Sequence, residues 1–399
     1  MKQKVALICL SLVLLLLAAG CWNRRELNDI ALEVGFAIDK KGSQYRVSSQ
    51  VVDPGEVAAK QATASRTPVT MYHATGKNLF EARRKMTTVS PRKIYASHLR
   101  MLVIGEAVAR EGIGNVLDFI TRDHEYRTDF YIVVAKGSRA ENILEILTPL
   151  EKVPAINLFS SLETSEKSWG PALTVTMDEL ISDLTSAGKN PVLSGVQIKG
   201  DPEIGETREN VELIDSPGQL QYSGLAVFNK DKLIGWLTEE ESKGYTYIVD
   251  RIQNTAEEVS CPKGGKLVLE VIRSGTELKG KVINGKPEIE ITVETEGNVG
   301  EVECLLDVSD PQAIYELEKR VEQAIKDRIQ RTIKKVQRRY KVDIFGFGQA
   351  IHFADPQAWR QLKQDWNEMF VDVAVHVTVD FKIRRLGTVS KSFLEEMKE

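Results

Sequence analysis

An α+β fold in more than one domain, with antiparallel or mixed sheets covered by helices and one long helix near the C-terminal end, is the class this sequence predicts. Three observations lead there. Short runs alternate apolar and polar residues, as Tyr45, Val47, Ser49 and Val51 do against Arg46, Ser48 and Gln50, which is the period of a strand. Among them stand segments with apolar residues three and four apart behind helix-capping residues, the longest running from Asp310 to Tyr340. Finally, 399 residues with 42% hydrophobic and 28% charged content suffice for two or three cores. Lys plus Arg at 53 against Asp plus Glu at 57 gives a net charge of −4, which argues against a nucleic-acid binder working through bulk electrostatics.

The chain opens on an export signal. Lys2 and Lys4 precede an apolar run from Val5 to Ala19, too short for the ~20 residues a permanent membrane span needs. The run ends in Leu17-Ala18-Ala19-Gly20-Cys21, small residues against a cysteine, which resembles a bacterial lipobox with Ala18 where leucine is usual. Residues 1–20 are therefore expected to be removed, leaving Cys21 first and S-diacylglyceryl-modified. Two acyl chains, each gaining ~0.8 kcal/mol per buried CH₂, hold a domain at a bilayer where one does not. Loss of two lysines takes the mature balance to −6, so an acidic body should stand off an anionic membrane, tethered rather than adhering. Of four cysteines, Cys9 leaves with the signal and Cys21 is lipidated. Cys261 and Cys304 remain, and two separate thiols are expected of them rather than a bridge.

The mature chain starts with a hairpin, Ala31–Asp39 and Tyr45–Asp53 joined through Lys40-Lys41-Gly42-Ser43, with one wet face. Pro54–Thr70 reads as a surface loop. A helix over Leu79–Thr87 has Asn78 as N-cap with Glu81 three residues on, and Pro91 lies beyond it. Leu99–Ile104 is a buried strand, Glu106–Thr121 a helix weakened by Gly112 and Gly114, and Phe130–Ala135 another strand. Ser138 and Glu141 form a capping box for Ala140–Leu147; Thr176 and Glu179 do so for Met177–Ala187. A first domain over 21–199 should close near Val192–Lys199, and 200–218, rich in Glu, Pro, Gly and Asn, reads as a linker or excursion.

The second domain, 219–399 and divisible near 300, begins with short strands at Tyr222–Phe228, Leu233–Leu237, Leu267–Arg273, Thr276–Ile283 and Glu288–Glu296. Asn284-Gly285 turns between the last two. Their alternation predicts a sheet with one covered face. Its cover is the helix behind Asp310-Pro311, with Ile314, Leu317, Val321, Ile325, Ile329, Ile333, Val336 and Tyr340 in one stripe, about 45 Å at ~1.5 Å per residue. Its charges run from Glu316, Glu318 and Glu322 to Arg328, Arg331, Lys334, Lys335, Arg338 and Arg339, complementing the helix dipole. Glu316 with Arg320 and Glu322 with Lys326 would pair along it, a solvated face being favoured over a lipid-binding one. A further helix behind Asp355-Pro356 carries Trp359, Leu362, Trp366 and Phe370 toward the core, and Val373–Ile383 returns as a strand.

No catalytic constellation is found. His73, His98, His124, His352 and His376 show no metal-binding spacing, and the cysteines lack CxxC. Ser90-Pro91-Arg92-Lys93 matches S-x-x-K, but the proline would disrupt the helical turn that sets lysine beside serine. Gly346-Phe347-Gly348 has Ile351 where a dinucleotide loop needs glycine, so a tight turn is expected there. No enzyme, metal or cofactor is predicted. The one polar cluster worth testing is Arg122, Asp123 and Arg127 at a helix end, either a subunit interface or an internal ion network, the latter preferred.

The residues resemble a known family. Cys21-Trp22 with Glu26-Leu27, Gly76 with Glu81-Ala82, Ser97-His98, Ile104-Gly105-Glu106, Ala109-Arg110-Glu111-Gly112-Ile113 and Arg122-Asp123 with Arg127 resemble the N-terminal half of the Ger(x)C lipoproteins. Gly224-Leu225-Ala226-Val227-Phe228, Lys232-Leu233-Ile234-Gly235, Asp343-Ile344-Phe345-Gly346-Phe347-Gly348 and the spacing of Trp359, Trp366 and Phe370 extend the likeness over nearly the whole chain. Asn23 stands where the family often has Asp. The resemblance implies the C subunit of a nutrient germinant receptor, on the outer face of the spore inner membrane with an A subunit and a permease-like B subunit. Only Cys21 carries over as a functional residue. Neither the germinant nor any direct nutrient contact is legible, and a solute-binding lipoprotein of a transporter and an envelope hydrolase are the competing readings.

Overall fold

The computed structural model describes residues 3–4, 29–52, 67–261, 264–303 and 310–386; Cys21, Cys304 and the start of the expected 54–70 loop lie outside them. β1 (Ile30–Lys41) and β2 (Gln44–Val52) form the anticipated hairpin, turning at Gly42 with φ +60°. β3 (Val69–Gly76), which takes the last two residues of that loop, adds antiparallel to β2. On its other side β1 runs parallel to the short β4 (Lys93–Tyr95) and to β5 (Met101–Gly105). β6 (Tyr131–Ala135) and β7 (Val192–Gly200) continue in parallel, and β8 (Gly218–Asn229) and β9 (Lys232–Leu237) finish the sheet antiparallel. The order is β3-β2-β1-β5-β6-β7-β8-β9, with β4 beside β1.

Both faces of this sheet are covered. Along one lie α1 (Leu79–Lys85), α2 (Glu106–Glu111), α3 (Gly114–Arg122) and α6 (Met177–Thr185); along the other, α4 (Ala140–Glu145) and α5 (Pro154–Ser168). The face of β2 expected to be wet is therefore buried. Its polar side chains are satisfied by the helices on it: Ser48 Oγ donates to Glu141, Gln50 donates to the Leu144 carbonyl (2.6 Å), and Gln50 Oε1 accepts the Ala155 N–H (3.0 Å). Alternation here marks chemically different layers, one apolar and one hydrogen-bonded, rather than core and water. α5 was not anticipated, because no capping side chain announces it; Pro154 opens it instead.

Residues 200–218 hold α7 (Pro202–Gly205) and α8 (Glu209–Glu212), fastened by the fully buried Asn210. Its amide donates to the carbonyls of Leu147 (2.7 Å) and Gly218 (2.9 Å) and accepts the Gly218 N–H (2.8 Å). The stretch is a packed excursion, and strands on both sides of it share the first sheet.

The helix expected over Glu106–Thr121 is two. Gly112, at φ +138°, breaks it where an added Cβ would stand 2.6 Å from the Asp231 carboxylate, and Asp231 accepts the Gly114 N–H. Ser138 does not cap α4. The buried Asp39 of β1 does, accepting the N–H groups of Ala140 (2.8 Å) and Glu141 (2.9 Å) from across the fold. The Thr176–Glu179 capping box stands as anticipated.

α9 (Glu239–Ile248) leads into the second sheet: β10 (Thr255–Ser260), β11 (Lys266–Ile283), β12 (Lys286–Val302) and, after a helical excursion, β13 (Ala374–Arg385), parallel to β12. The two strands expected over 267–283 are one, bulged near Val271–Arg273. Asn284 and Gly285 both take positive φ (51° and 76°), the turn that suits the twist of a long hairpin. α10 (Pro311–Lys335) lies over the sheet, its stripe from Leu317 to Ile333 buried, and a wider turn at Val336–Tyr340 ends it. The pairs expected along α10 do not form. Arg328 instead binds Glu240 of α9 and Glu257 of β10, and Lys335 binds Glu241.

α11 (Phe347–Ala354), α12 (Pro356–Leu362) and α13 (Trp366–Phe370) follow, the expected single helix being split between the last two. Trp359, Trp366 and Phe370 are core residues. Asp343 organises this corner: fully buried, its carboxylate accepts from the N–H groups of Phe345, Gly346 and Gly348 and from Trp366 Nε1. Its carbonyl accepts two hydrogen bonds from Asn190, tying the corner to the start of β7. Cys261 is disulfide-bonded, against the expectation of two separate thiols, and its partner sulfur lies outside the described residues. No helix among the described residues is long and apolar enough to cross a membrane.

Candidate functional site

A cleft of about 750 Å³ opens between α1 and α3. α1 forms because Asn78 accepts the Glu81 N–H (2.8 Å) while Leu79 and Ala82 seat on β2 and β3. α3 forms because Val116, Leu117 and Ile120 share one face against the same core. The cleft is lined by Tyr45, Leu79, Phe80 and Phe119 among apolar groups and by Lys77, Arg84, Asp118, Arg122, Asp123 and His124 among polar ones. A smaller hollow of about 260 Å³ shares Phe80, Arg84, Phe119, Asp123 and His124 with it and extends it to Arg92, Lys93 and Ile94.

Beneath this surface lies a fixed charge. Arg83 forks onto Glu33 (2.6 and 2.8 Å), donates to Ser49 Oγ (2.7 Å) and stacks on Phe36 and Tyr126. Burial alone would lower its pKa, but the Glu33 carboxylate overrides burial and the guanidinium is held well above its ordinary range. Burial pushes the Tyr126 hydroxyl up, and no described residue hydrogen-bonds to it.

Arg122 ends α3 and pairs with Asp118 one turn back (2.8 Å), both side chains exposed. That hydrogen bond lowers the Asp118 pKa and raises that of Arg122. Asp123, where the backbone turns extended, accepts the Glu125 N–H (3.0 Å). Arg127 lies on an exposed segment beyond, 3.5 Å from Asp129, and is not among the lining residues. The structure therefore brings Arg122 and Asp123 to one cleft and leaves Arg127 apart. The helix ends at Arg122, and Tyr126 beyond it turns inward. Cys21 falls outside the described residues. Phe80 and Arg84, which sequence reading missed, were legible as the exposed partners of the buried Leu79 and Ala82 on α1.

Elsewhere, Ser90 donates to the Arg92 carbonyl and Lys93 binds Glu125, so the S-x-x-K pair does not meet. No group of three metal-ligating side chains occurs among the described residues.

With fold and cleft defined, likeness to known proteins identifies the class. Residues 23–198 match the family described as spore germination protein N-terminal domain, and 223–387 match spore germination B3/GerAC like, C-terminal. Spore germination protein KC of Bacillus subtilis (strain 168) is 32% identical, the alignment covering 100% of both chains. Spore germination protein B3 of the same organism is 25% identical, over 95% of this chain and 97% of its own. The chain belongs to the GerAC-type family of spore germination proteins, the C-subunit type. Its fold is shared with the structure titled Crystal Structure of the GerBC protein, at a TM-score of 0.56 and 21% identity, covering 88% of this chain and 96% of that one.

Proposed function

We propose that this chain is the lipid-anchored C subunit of a nutrient germinant receptor, held by acylated Cys21 at the outer surface of the spore inner membrane and working beside A and B membrane subunits in the response to small nutrients. It performs no covalent chemistry in this role. The observation that carries the reading is the collinear, full-length likeness to spore germination protein KC, with both family domains present in order. The lipobox-like Leu17-Ala18-Ala19-Gly20-Cys21 supports the anchor.

The test is purification from spore inner membrane in mild detergent of the native chain and a Cys21→Ala variant, each read by intact mass. The reading expects a diacylglyceryl mass on the native chain, co-purifying A and B subunits, and loss of both in the variant. A lipidated chain that comes alone and binds a small solute by itself would replace it with a transporter's solute-binding lipoprotein.

A further inference from the structure

The face around the start of β1 differs in charge from the molecule as a whole. Ile30, the first residue of the sheet, is paired with Lys93, and Ala31 with Ile94; Lys93 and Ile94 line the smaller hollow that extends the α1–α3 cleft. The start of the described fold at residues 29 and 30 therefore lies beside that hollow. Cys21 is eight residues away, a reach of at most about 28 Å at ~3.5 Å per residue. Most carboxylates of this face are already held by cations: Asp118 by Arg122, Glu125 by Lys93 and Glu81 by Lys85. Lys77, Arg84 and Arg92 are exposed with no carboxylate in ion-pair range among the described residues, against Asp123 as the one carboxylate of the cleft without a cation in that range. Phe80 and Val89 add large apolar side chains, 59% and 58% exposed, and Arg84 stacks over Phe80. The other basic surface, the end of α10, is partly spent internally on Glu240, Glu241 and Glu257.

We propose that this basic, aromatic rim is a docking surface for an anionic bilayer, so that the body lies on the membrane in one orientation instead of standing off it. Cations beside an exposed aromatic suit a headgroup layer, where the charges meet lipid phosphate and the ring enters the interface. The proposal rests on the lipid-anchor reading only for how the chain reaches the membrane, and intact mass at Cys21 tests that separately.

The experiment uses the mature chain from residue 21 carrying Cys21→Ser, so that binding reports the surface and not the anchor. It is sedimented with vesicles of phosphatidylcholine alone, or of equal parts phosphatidylcholine and phosphatidylglycerol, at low and high salt. The expected result is salt-sensitive binding to the anionic vesicles only. Arg84→Glu with Arg92→Glu should weaken it about 25-fold or more, at roughly fivefold per basic residue removed. Lys334→Glu with Arg338→Glu, the same charge change on exposed residues of the α10 end, should leave it within about twofold. Equal weakening by both pairs, or no preference for the anionic vesicles, overturns the proposal; melting curves confirm that both variants are folded.

Discussion

Asp39 and Ser138 separate what a residue type suggests from what its surroundings allow. Ser138 stands where a helix cap belongs, yet the buried carboxylate of Asp39 binds the first N–H groups of α4. Burial raises the Asp39 pKa more than those N–H groups lower it, so the carboxylate is held in place at a cost. Asp39→Ala should destabilise the protein by about 2 kcal/mol, measured by urea unfolding, because two N–H groups lose their acceptor; Ser138→Ala should leave the midpoint unchanged. Gly105 depends on the same group, an added Cβ there falling 2.3 Å from Asp39 Oδ1. Local sequence could not reveal this cap, since donor and acceptor are 101 residues apart. Arg122 and Arg127 differ in kind: both are exposed, so replacing both by Ala should not shift the melting temperature. A germination defect in that variant would mark the pair as an interface.

Between elements, the α9–α10 junction is tied by Lys335 to Glu241 and, reaching further into the interior, by the Arg328 guanidinium. Arg328 reaches Glu240 on the surface and Glu257 in the interior, where Tyr247 also donates to Glu257. Arg328→Met leaves the Glu257 charge buried beside only Lys243, and should cost about 3 kcal/mol in urea unfolding. Adding Glu257→Leu should restore most of it, since the carboxylate that needed the cation is then gone. Helix identity at this junction was legible: the α10 stripe could be read residue by residue, and Thr238 with Glu241 is a capping box that would have announced α9. Its ion pairs were not, because intrahelical spacing suggests neighbours one turn away and says nothing about carboxylates brought in by another element.

For the molecule as a whole, two carboxyls work against the loss of stability in acid that lowered carboxylates such as Glu179, Glu240 and Glu241 bring. Burial raises the Asp343 carboxyl to about 6 despite four donors, and burial with the Glu141 charge raises the half-buried Glu145 to about 7. A carboxyl raised on folding binds its proton more tightly in the native state, so its stabilising share is complete below the unfolded value of 3.8 and vanishes as pH climbs through 6. Asp343 alone should cost about 2 kcal/mol between pH 4 and pH 7. Stability curves of the parent and Asp343→Asn across that window should diverge by that amount, the parent losing stability relative to the variant as pH rises. At this scale the sequence yielded the α+β class, the two sheets and the covering helix, all carried by periodicity. It did not yield the continuity of the first sheet across 200–218, because most of that stretch is exposed and polar as a linker would be, and what fastens it is one buried side chain, Asn210, bonded to interior backbone.

The parallel pairing of β13 with β12 bears on biosynthesis. Between the end of β12 at Val302 and the start of β13 at Ala374 lies the whole helical excursion, and β13 also seats α10 through Glu318 and Glu322, which accept the N–H groups of Ile383 and Phe381. The second sheet cannot close until β13 has been synthesised and delivered to the compartment where the protein folds. A nonsense mutation just before β13 would therefore uncover the edge of β12 and the inner side of α10 together. Such an allele should behave as a null, its product cleared by proteases, although most of the reading frame is intact.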